Sequence, residues 1–508
     1  MRIITLLLIF VTLSVSAQTE KYRLILNDDP ATTGTVAWNQ TLSSIGTATI
    51  YYGTKDLGDD WASYPLSQRP DRTSVAQGMN TQFARLKNLV PNTAYYFVLR
   101  NPITSSISAR YFFKTLPNDQ SRLSFVAGGD SRTDGTPDVF ANRQARLNAN
   151  IKVSKLKPHA VLFGGDFTFY DTPKEWDYWL NDWQLTISEE GQLFGIVPAR
   201  GNHEYLPSTV YDLFDVPSKD AYYALTFGSD LVRVYTLNSE ISVAGDQAQW
   251  LQNDLEINSS NTCWTFAQYH TPIRPHQSGK AENDDQYDAW AGLFYKHGMD
   301  IVFESDSHIV KTTKALKPDV SGELGFSEDA INGTYFVGEG CWGAPTRNND
   351  DDKEWTLASG SFNQLKWVFV DCERIELRTV MTDDIAEVTP LKNQFDVPSN
   401  MPLWNPTEIG DVLVIEKQVL SSSEVLKNKI SIFPNPIGKV LNFVVPTELN
   451  EAVVRILDVN GRIVLKEVKK IKNGGFTLNT DAIKSGIYIL TISTAKNEVL
   501  ATKKLLKQ

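Results

Sequence analysis

Gly201-Asn202-His203-Glu204 follows the apolar run Leu193-Phe194-Gly195-Ile196-Val197. A run this short and apolar, broken by Pro198 and Gly201, reads as a buried strand ending in a tight loop with polar side chains at its carboxyl end. Two upstream segments share the pattern: Leu123-Ser-Phe-Val-Ala-Gly-Gly-Asp130 and Ala160-Val-Leu-Phe-Gly-Gly-Asp166. Their polar ends recur about every 35 residues, as in successive βαβ units, whose parallel strands bring their C-terminal loops to one crevice. Thr265-Phe-Ala-Gln-Tyr-His270 and Asp300-Ile-Val-Phe-Glu-Ser-Asp306-Ser-His308 repeat the pattern with imidazoles and a further carboxylate. A lone Asp after glycine is commonly a turn or cap residue. Five strand ends carrying Asp, Asp, Asn, His and Asp/His read instead as the donors of one metal site.

Taken in order, Gly129-Asp130, Gly165-Asp166, Gly201-Asn202-His203-Glu204, His270 and Asp306-Ser307-His308 resemble the five motifs of the calcineurin-like metallophosphoesterases. Within that family the chain is most similar to the purple acid phosphatases and their bacterial relatives. The resemblance implies two packed sheets flanked by helices, with two metal ions at the sheet edge and a phosphate ester hydrolysed by metal-activated hydroxide. It makes Asp166 the bridge, with Asp130 and His308 on one metal and Asn202, His270 and Asp306 on the other. His203 matches the family's outer histidine and is the catalytic candidate, either giving a proton to the leaving group or orienting phosphate. Arg132, Arg274 and His276 are candidates for substrate contact.

Two positions depart from the family pattern. Asp306 stands where most relatives have a histidine; an oxygen donor there favours Fe, Mn, Mg or Ca over Zn. Phe169 stands where purple acid phosphatases place a ligating tyrosine, and Tyr170 follows one step later. Either a bulge brings Tyr170 to the metal or the tyrosinate ligand is absent.

With 42% hydrophobic and 21% charged residues among 508, the chain is globular and long enough for several domains. Its net charge of -11 argues against a nucleic-acid partner. Bound cations are then the local source of attraction for an anionic substrate. Arg2, the apolar run Ile3 to Val15 and Val15-Ser16-Ala17 read as a signal peptide over residues 1–17, and no other run is long enough for a transmembrane helix. In an exported chain Cys263, Cys341 and Cys372 allow one disulfide and one free thiol, but Cys263 and Cys372 lie in strand-like apolar runs, so buried unpaired thiols are the expectation.

Residues 18–117 alternate apolar and polar positions and read as a β-sandwich. Leu89-Val-Pro91-Asn-Thr93-Ala-Tyr95 resembles the tyrosine corner of fibronectin type III domains, with Trp38 in the core. Residues 118–400 alternate strands with amphipathic helices, then add strands alone, which reads as a two-sheet α/β sandwich. Proline and serine mark 401–429 as linker. Residues 430–508 form a small β module resembling the C-terminal sorting domain of the type IX secretion system, through Phe433-Pro434-Asn435-Pro436, Ser485-Gly486-Ile-Tyr488 and a basic end. Its twelve Lys/Arg against six Asp/Glu reverse the charge of the rest.

The expectation is a secreted or cell-surface phosphomonoesterase delivered by outer-membrane secretion machinery. The alternatives are a phosphodiesterase or nucleotidase on the same scaffold, or a non-catalytic surface adhesin. His159 and His297 read as caps, Asn348 to Asp352 as a solvated loop, and Trp342 as a rim residue able to stack a leaving group.

Overall fold

The computed structural model describes residues 18–507 apart from 42–45, 137–142, 384–387, 390, 392, 418–429, 446–449, 460, 472–473 and 495–498. The expected signal peptide, Pro390 and the Ser421 to Ser423 run lie outside the described residues. No helix among the described residues is long and apolar enough to cross a membrane. The chain divides into two units, Met1–Glu416 and Lys417–Gln508.

In the first unit the five motif strands form two parallel cores. Leu123–Gly128, Ala160–Phe163 and Gly195–Pro198 are adjacent and parallel, Phe163 pairing with Gly128 on one side and Pro198 on the other. Trp264–Gln268 and Ile301–Phe303 are parallel neighbours in a second sheet, Gln268 beside Phe303. The apolar runs are buried on both faces, as parallel strands covered by helices require. Phe266, Ile301 and Phe303 join the core between the sheets, whereas Ala267 and Val302 join the helix-side core, a period-two alternation. Across the gap Phe125 meets Phe227 edge-on at 5.2 Å.

Helices Arg143–Leu156 and Pro173–Trp183 pack on the first sheet, and Asp246–Asn258 and Gly292–Lys296 on the second. Pro173–Trp183 starts with a proline, whose missing N–H would be unpaired in a first turn anyway. Its Trp176, Trp179, Leu180 and Trp183 fall on one buried stripe at helical spacing. His297 is the C-cap of Gly292–Lys296, as expected. His159 is no cap: half-buried, it donates from N to Ser124 O at 2.8 Å, and its Nδ1 accepts from Ser124 N at 3.0 Å.

The expected N-terminal sandwich is present and is continuous with the motif strands, because Thr19–Ile25 pairs in parallel with Gly195–Pro198, Leu24 beside Gly195. One ten-stranded sheet therefore runs from Leu413–Glu416 through the motif strands to Gly34–Gln40, Met79–Leu86 and Arg72–Ala76. The small sheet of Thr49–Gly53, Leu66–Gln68, Ala94–Arg100 and Tyr111–Lys114 closes the sandwich over Trp38, Phe97 and Phe113. Tyr95 Oη accepts from Val90 N at 2.8 Å, completing the tyrosine corner. Residues 401–416 are not linker, since Leu413–Glu416 pairs with Arg374–Met381 as an edge strand. Cys263 and Cys372 form a disulfide, Cα to Cα 5.3 Å, and only Cys341 is free and buried. Trp264 Nε1 donates to Asp371 O at 2.6 Å, so the entry to one strand abuts a hairpin of the other sheet and the thiols meet.

In the second unit, a three-stranded sheet (Ser431–Phe433, Val440–Val444, Gly475–Asn479) faces a four-stranded one (Glu451–Asp458, Ile463–Lys470, Gly486–Ser493, Val499–Lys507). Leu441, Phe443 and Leu478 meet Val454, Ile456 and Leu490 in a shared core.

Candidate metal centre

The two parallel cores end at the same edge, and hydrogen bonds join their loops. His270 Nδ1 donates to Gly164 O at 2.9 Å, Gln268 Nε2 to Val197 O at 2.9 Å, and Asp306 N to Asp130 Oδ2 at 2.9 Å. Asp130, Asp166, His270, Asp306 and His308 are buried, and Asn202 is exposed at the mouth. Ligand atoms of Asp130, Asp166 and His270 lie within 4.8 Å of one another.

Sharp turns bring them there. Asp130, Asp166, Asp306 and His308 adopt left-handed backbone, φ 60, 55, 68 and 56°. Non-glycine residues adopt it at about 1–3 kcal/mol each where the surroundings enforce it. A Cβ at Gly201 would overlap Asp166, and one at Gly340 would overlap Asp130 Oδ2, so glycine is required for this approach. Glu204, fully buried, ties two loops together: its carboxylate accepts from Asp166 N at 3.0 Å, Phe167 N at 3.0 Å and Gly201 N at 2.8 Å. Burial and the Asp166 charge push its carboxyl upward, and these donors oppose that pressure. The motif contained Glu204, but nothing in the sequence assigned it this work.

Whether these residues fit cations is decided by their unpaired atoms. Among the described residues, Asp130 Oδ1, Asp166 Oδ2, His308 Nε2 and Arg132 Nε have no hydrogen-bond partner despite burial. His308 Nδ1 donates to Pro345 O at 2.9 Å, which turns the Nε2 lone pair of the neutral ring on Asp130 Oδ1, 3.2 Å away. His270 is arranged alike: its Nε2 stands 3.0 Å from Asn202 Oδ1, 3.2 Å from Asp166 Oδ1 and 3.7 Å from Asp306 Oδ1. Lone pairs facing lone pairs need a proton or a metal between them. Donors about 2.1 Å from one cation and at right angles stand about 3.0 Å apart, close to these spacings. With protons alone, burial works against the His270 charge, but Asp166, Asp130 and Asp306 more than offset it and hold the ring well above its ordinary range. The oxygen and imidazole donors fit hard or intermediate cations. Burial, reinforced by the Asp130 charge, keeps the Cys341 thiol protonated.

His203 Nδ1 donates to Phe169 O at 2.6 Å, and its Nε2 faces Asp166 Oδ2 at 3.8 Å. Arg132 lies over the Phe169 ring at 4.8 Å, with Nε 3.5 Å from Asp166 Oδ2. Phe169 thus walls the site. Tyr170 is 45% exposed, and both Phe169 N and Tyr170 N donate to Glu175 Oε2 at 2.7 and 3.0 Å, so no bulge turns Tyr170 inward.

Arg274 and His276 are corrections, because both are engaged elsewhere. Arg274 donates to Leu324 O at 2.9 Å and pairs with Asp284 at 2.9 Å. His276 is buried between Thr356 Oγ1 at 2.7 Å and Glu339, and burial drives its pKa well down. Trp342 is no rim residue either: it is fully buried and donates to Asn150 Oδ1 at 2.8 Å. Two cations escaped the sequence reading. Lys280 Nζ lies 2.6 Å from Asp306 Oδ1, and Arg347 donates to Asp306 O at 2.9 Å.

Residues 133–310 match the family model for calcineurin-like phosphoesterases, a span that begins just after Asp130. Residues 19–115 match the purple acid phosphatase N-terminal domain, and residues 431–508 the secretion system C-terminal sorting domain. Purple acid phosphatase 13 of Arabidopsis thaliana is 25% identical over 279 residues, 44% of this chain and 48% of that protein. The chain thus spans about half the length of this curated relative. Among solved structures, purple acid phosphatase PPD1 from yellow lupin (Lupinus luteus) seeds superposes with a TM-score of 0.61 at 15% identity, covering 79% of this chain and 74% of that one. PhoD gives 0.53 at 11%, covering 73% and 88%. At such identities the likeness is one of fold.

Proposed function

We propose that this chain is an exported, metal-dependent phosphatase that hydrolyses phosphomonoesters outside the cell. The observation supporting this reading is the close approach of Asp130, Asp166, Asn202, His270, Asp306 and His308, with buried unpaired atoms on Asp130, Asp166 and His308. Asp130 and His308 would hold one cation and Asn202, His270 and Asp306 the other, with Asp166 between them. When bound, such cations supply Lewis acidity towards phosphoryl oxygens and lower the pKa of water.

The chain's own residues do the rest. His203 has Nδ1–H committed to Phe169 O, so its Nε2 is the atom that carries or yields a proton on the pocket side. Protonated, it hands that proton to the leaving alkoxide. Arg132, held over Phe169, binds phosphoryl oxygen with its guanidinium. Phe169 excludes water from the same wall.

Export is supported by the match of residues 431–508 to a sorting domain and by the Cys263–Cys372 disulfide, which suits an oxidising compartment. The test is turnover by metal-loaded protein of p-nitrophenyl phosphate against its bis ester. Faster release from the monoester is expected. Faster release from the bis ester makes the chain a phosphodiesterase, and turnover of neither returns it to the adhesin class.

A further inference from the structure

The loop after His270 is folded back on the pocket. Asn283 closes its base, donating from N to Ile273 O at 3.1 Å and from Nδ2 to Pro272 O at 2.7 Å. At its tip Lys280 N donates to Gln277 O at 3.0 Å, and Ser278 N donates to Asp350 Oδ1 at 2.9 Å, which fixes the turn to a separate loop. Held this way, Lys280 extends its ammonium to Asp306 Oδ1, 2.6 Å away, with a quarter of its side chain still exposed. An ammonium has three donors, and Asp306 takes one. On the other side of the pocket Arg132 stands against Asp166.

Formal charge gives this arrangement a purpose. Asp130, Asp166 and Asp306 supply three negative charges, while Asn202, His270 and His308 are neutral as ligands. Two divalent cations, the attacking hydroxide and the Arg132 guanidinium would together leave a net charge of about +1, one short of balancing a phosphomonoester dianion. An imidazole at position 306 would leave no such deficit. Lys280 makes it good.

We infer that Lys280 is a substrate-binding residue of this site: its ammonium contacts phosphoryl oxygen and replaces the charge that Asp306 removes, so that dianionic monoesters are favoured over monoanionic diesters. The inference rests on the phosphatase reading and goes further by naming the residue that selects ester class.

Three metal-loaded forms test it: wild type, Lys280→Met and Lys280→Arg. Binding of inorganic phosphate is followed by calorimetry, metal per chain by elemental analysis, and mono- against bis-p-nitrophenyl phosphate by kcat/KM. Lys280→Met is expected to weaken phosphate binding by about 10- to 100-fold and to lower the monoester preference by a similar factor, as loss of a charge-assisted contact does. Its metal content stays that of wild type, and Lys280→Arg returns phosphate binding to within about threefold. Unchanged phosphate binding in Lys280→Met overturns the inference. Loss of metal in parallel with phosphate overturns it too, since Lys280 would then merely hold Asp306 in place. If wild type binds phosphate yet turns over neither ester, the phosphatase reading falls, and the Lys280 contact stands or falls on the calorimetric difference alone.

Discussion

His203 has one ring nitrogen anchored to Phe169 O and the other facing Asp166. Replacing it with alanine should lower kcat by about 10²–10⁴-fold, the range for a lost proton donor, and leave metal content unchanged. Equal losses of metal and rate would make it a structural residue instead. His159 offers a second test, at the opposite end of strand Ala160–Phe163 from Asp166. Burial, helped by the Lys114 charge, pulls it from 6.5 to about 3, while its Nδ1 accepts from Ser124 N. The unfolded chain therefore binds the extra proton first, so the stability this residue contributes is complete above about pH 6.5 and lost as pH falls towards 3. At about pH 5 the loss is about 2 kcal/mol, measurable by urea unfolding, and His159→Gln should flatten the slope. At this scale the candidate ligands are legible because each follows an apolar strand, with a glycine just before Asp130, Asp166 and Asn202, or lies within the same turn. Arg274 and His276 are not, since being close to His270 along the chain says nothing of where the loop turns. Lys280 carries no local pattern, and only the fold brings it to Asp306.

Between residues and fold lies a buried charge network that fixes the loops. Lys311 Nζ donates to Glu304 Oε2 at 2.6 Å and Arg274 O at 3.0 Å and pairs with Glu339, while Tyr269 Oη and Ile273 N donate to Glu304 Oε1 at 2.7 and 2.9 Å. The strand ends bearing His270 and Asp306 and the Gly338 to Gly340 turn against Asp130 are thereby locked together. Burial opposes the Lys311 charge, and Glu304 and Glu339 overcome it. Lys311→Met strands two buried carboxylates and should cost about 3–5 kcal/mol in chemical unfolding. A change below about 1 kcal/mol would mean that the loops are held otherwise. The sequence pattern reveals Leu123–Gly128 and Ala160–Phe163, as apolar strands should be. It misses Leu413–Glu416, four residues with two exposed, because a short edge strand among prolines looks like a linker.

For the whole molecule, the ten-stranded sheet makes the N-terminal sandwich and the motif strands one body, which no local reading could show because the joint is a parallel pairing between residues far apart in sequence. The Cys263–Cys372 bond links positions 109 apart, one from each sheet's neighbourhood. Replacing both cysteines with serine should lower stability by about 2–5 kcal/mol, and reductant should lower the wild-type Tm but not the variant's. A chain ending at Glu416 should keep the kcat/KM of the full chain, because every candidate site residue lies in the first unit. The central claim is that six side chains cage a pair of cations, and metal content reads it most directly. Dialysed wild type should retain about two metal ions per chain and folded Asp166→Asn clearly fewer, since Asp166 stands between both donor sets. Wild type with no retained metal, or Asp166→Asn with as much as wild type, would contradict it.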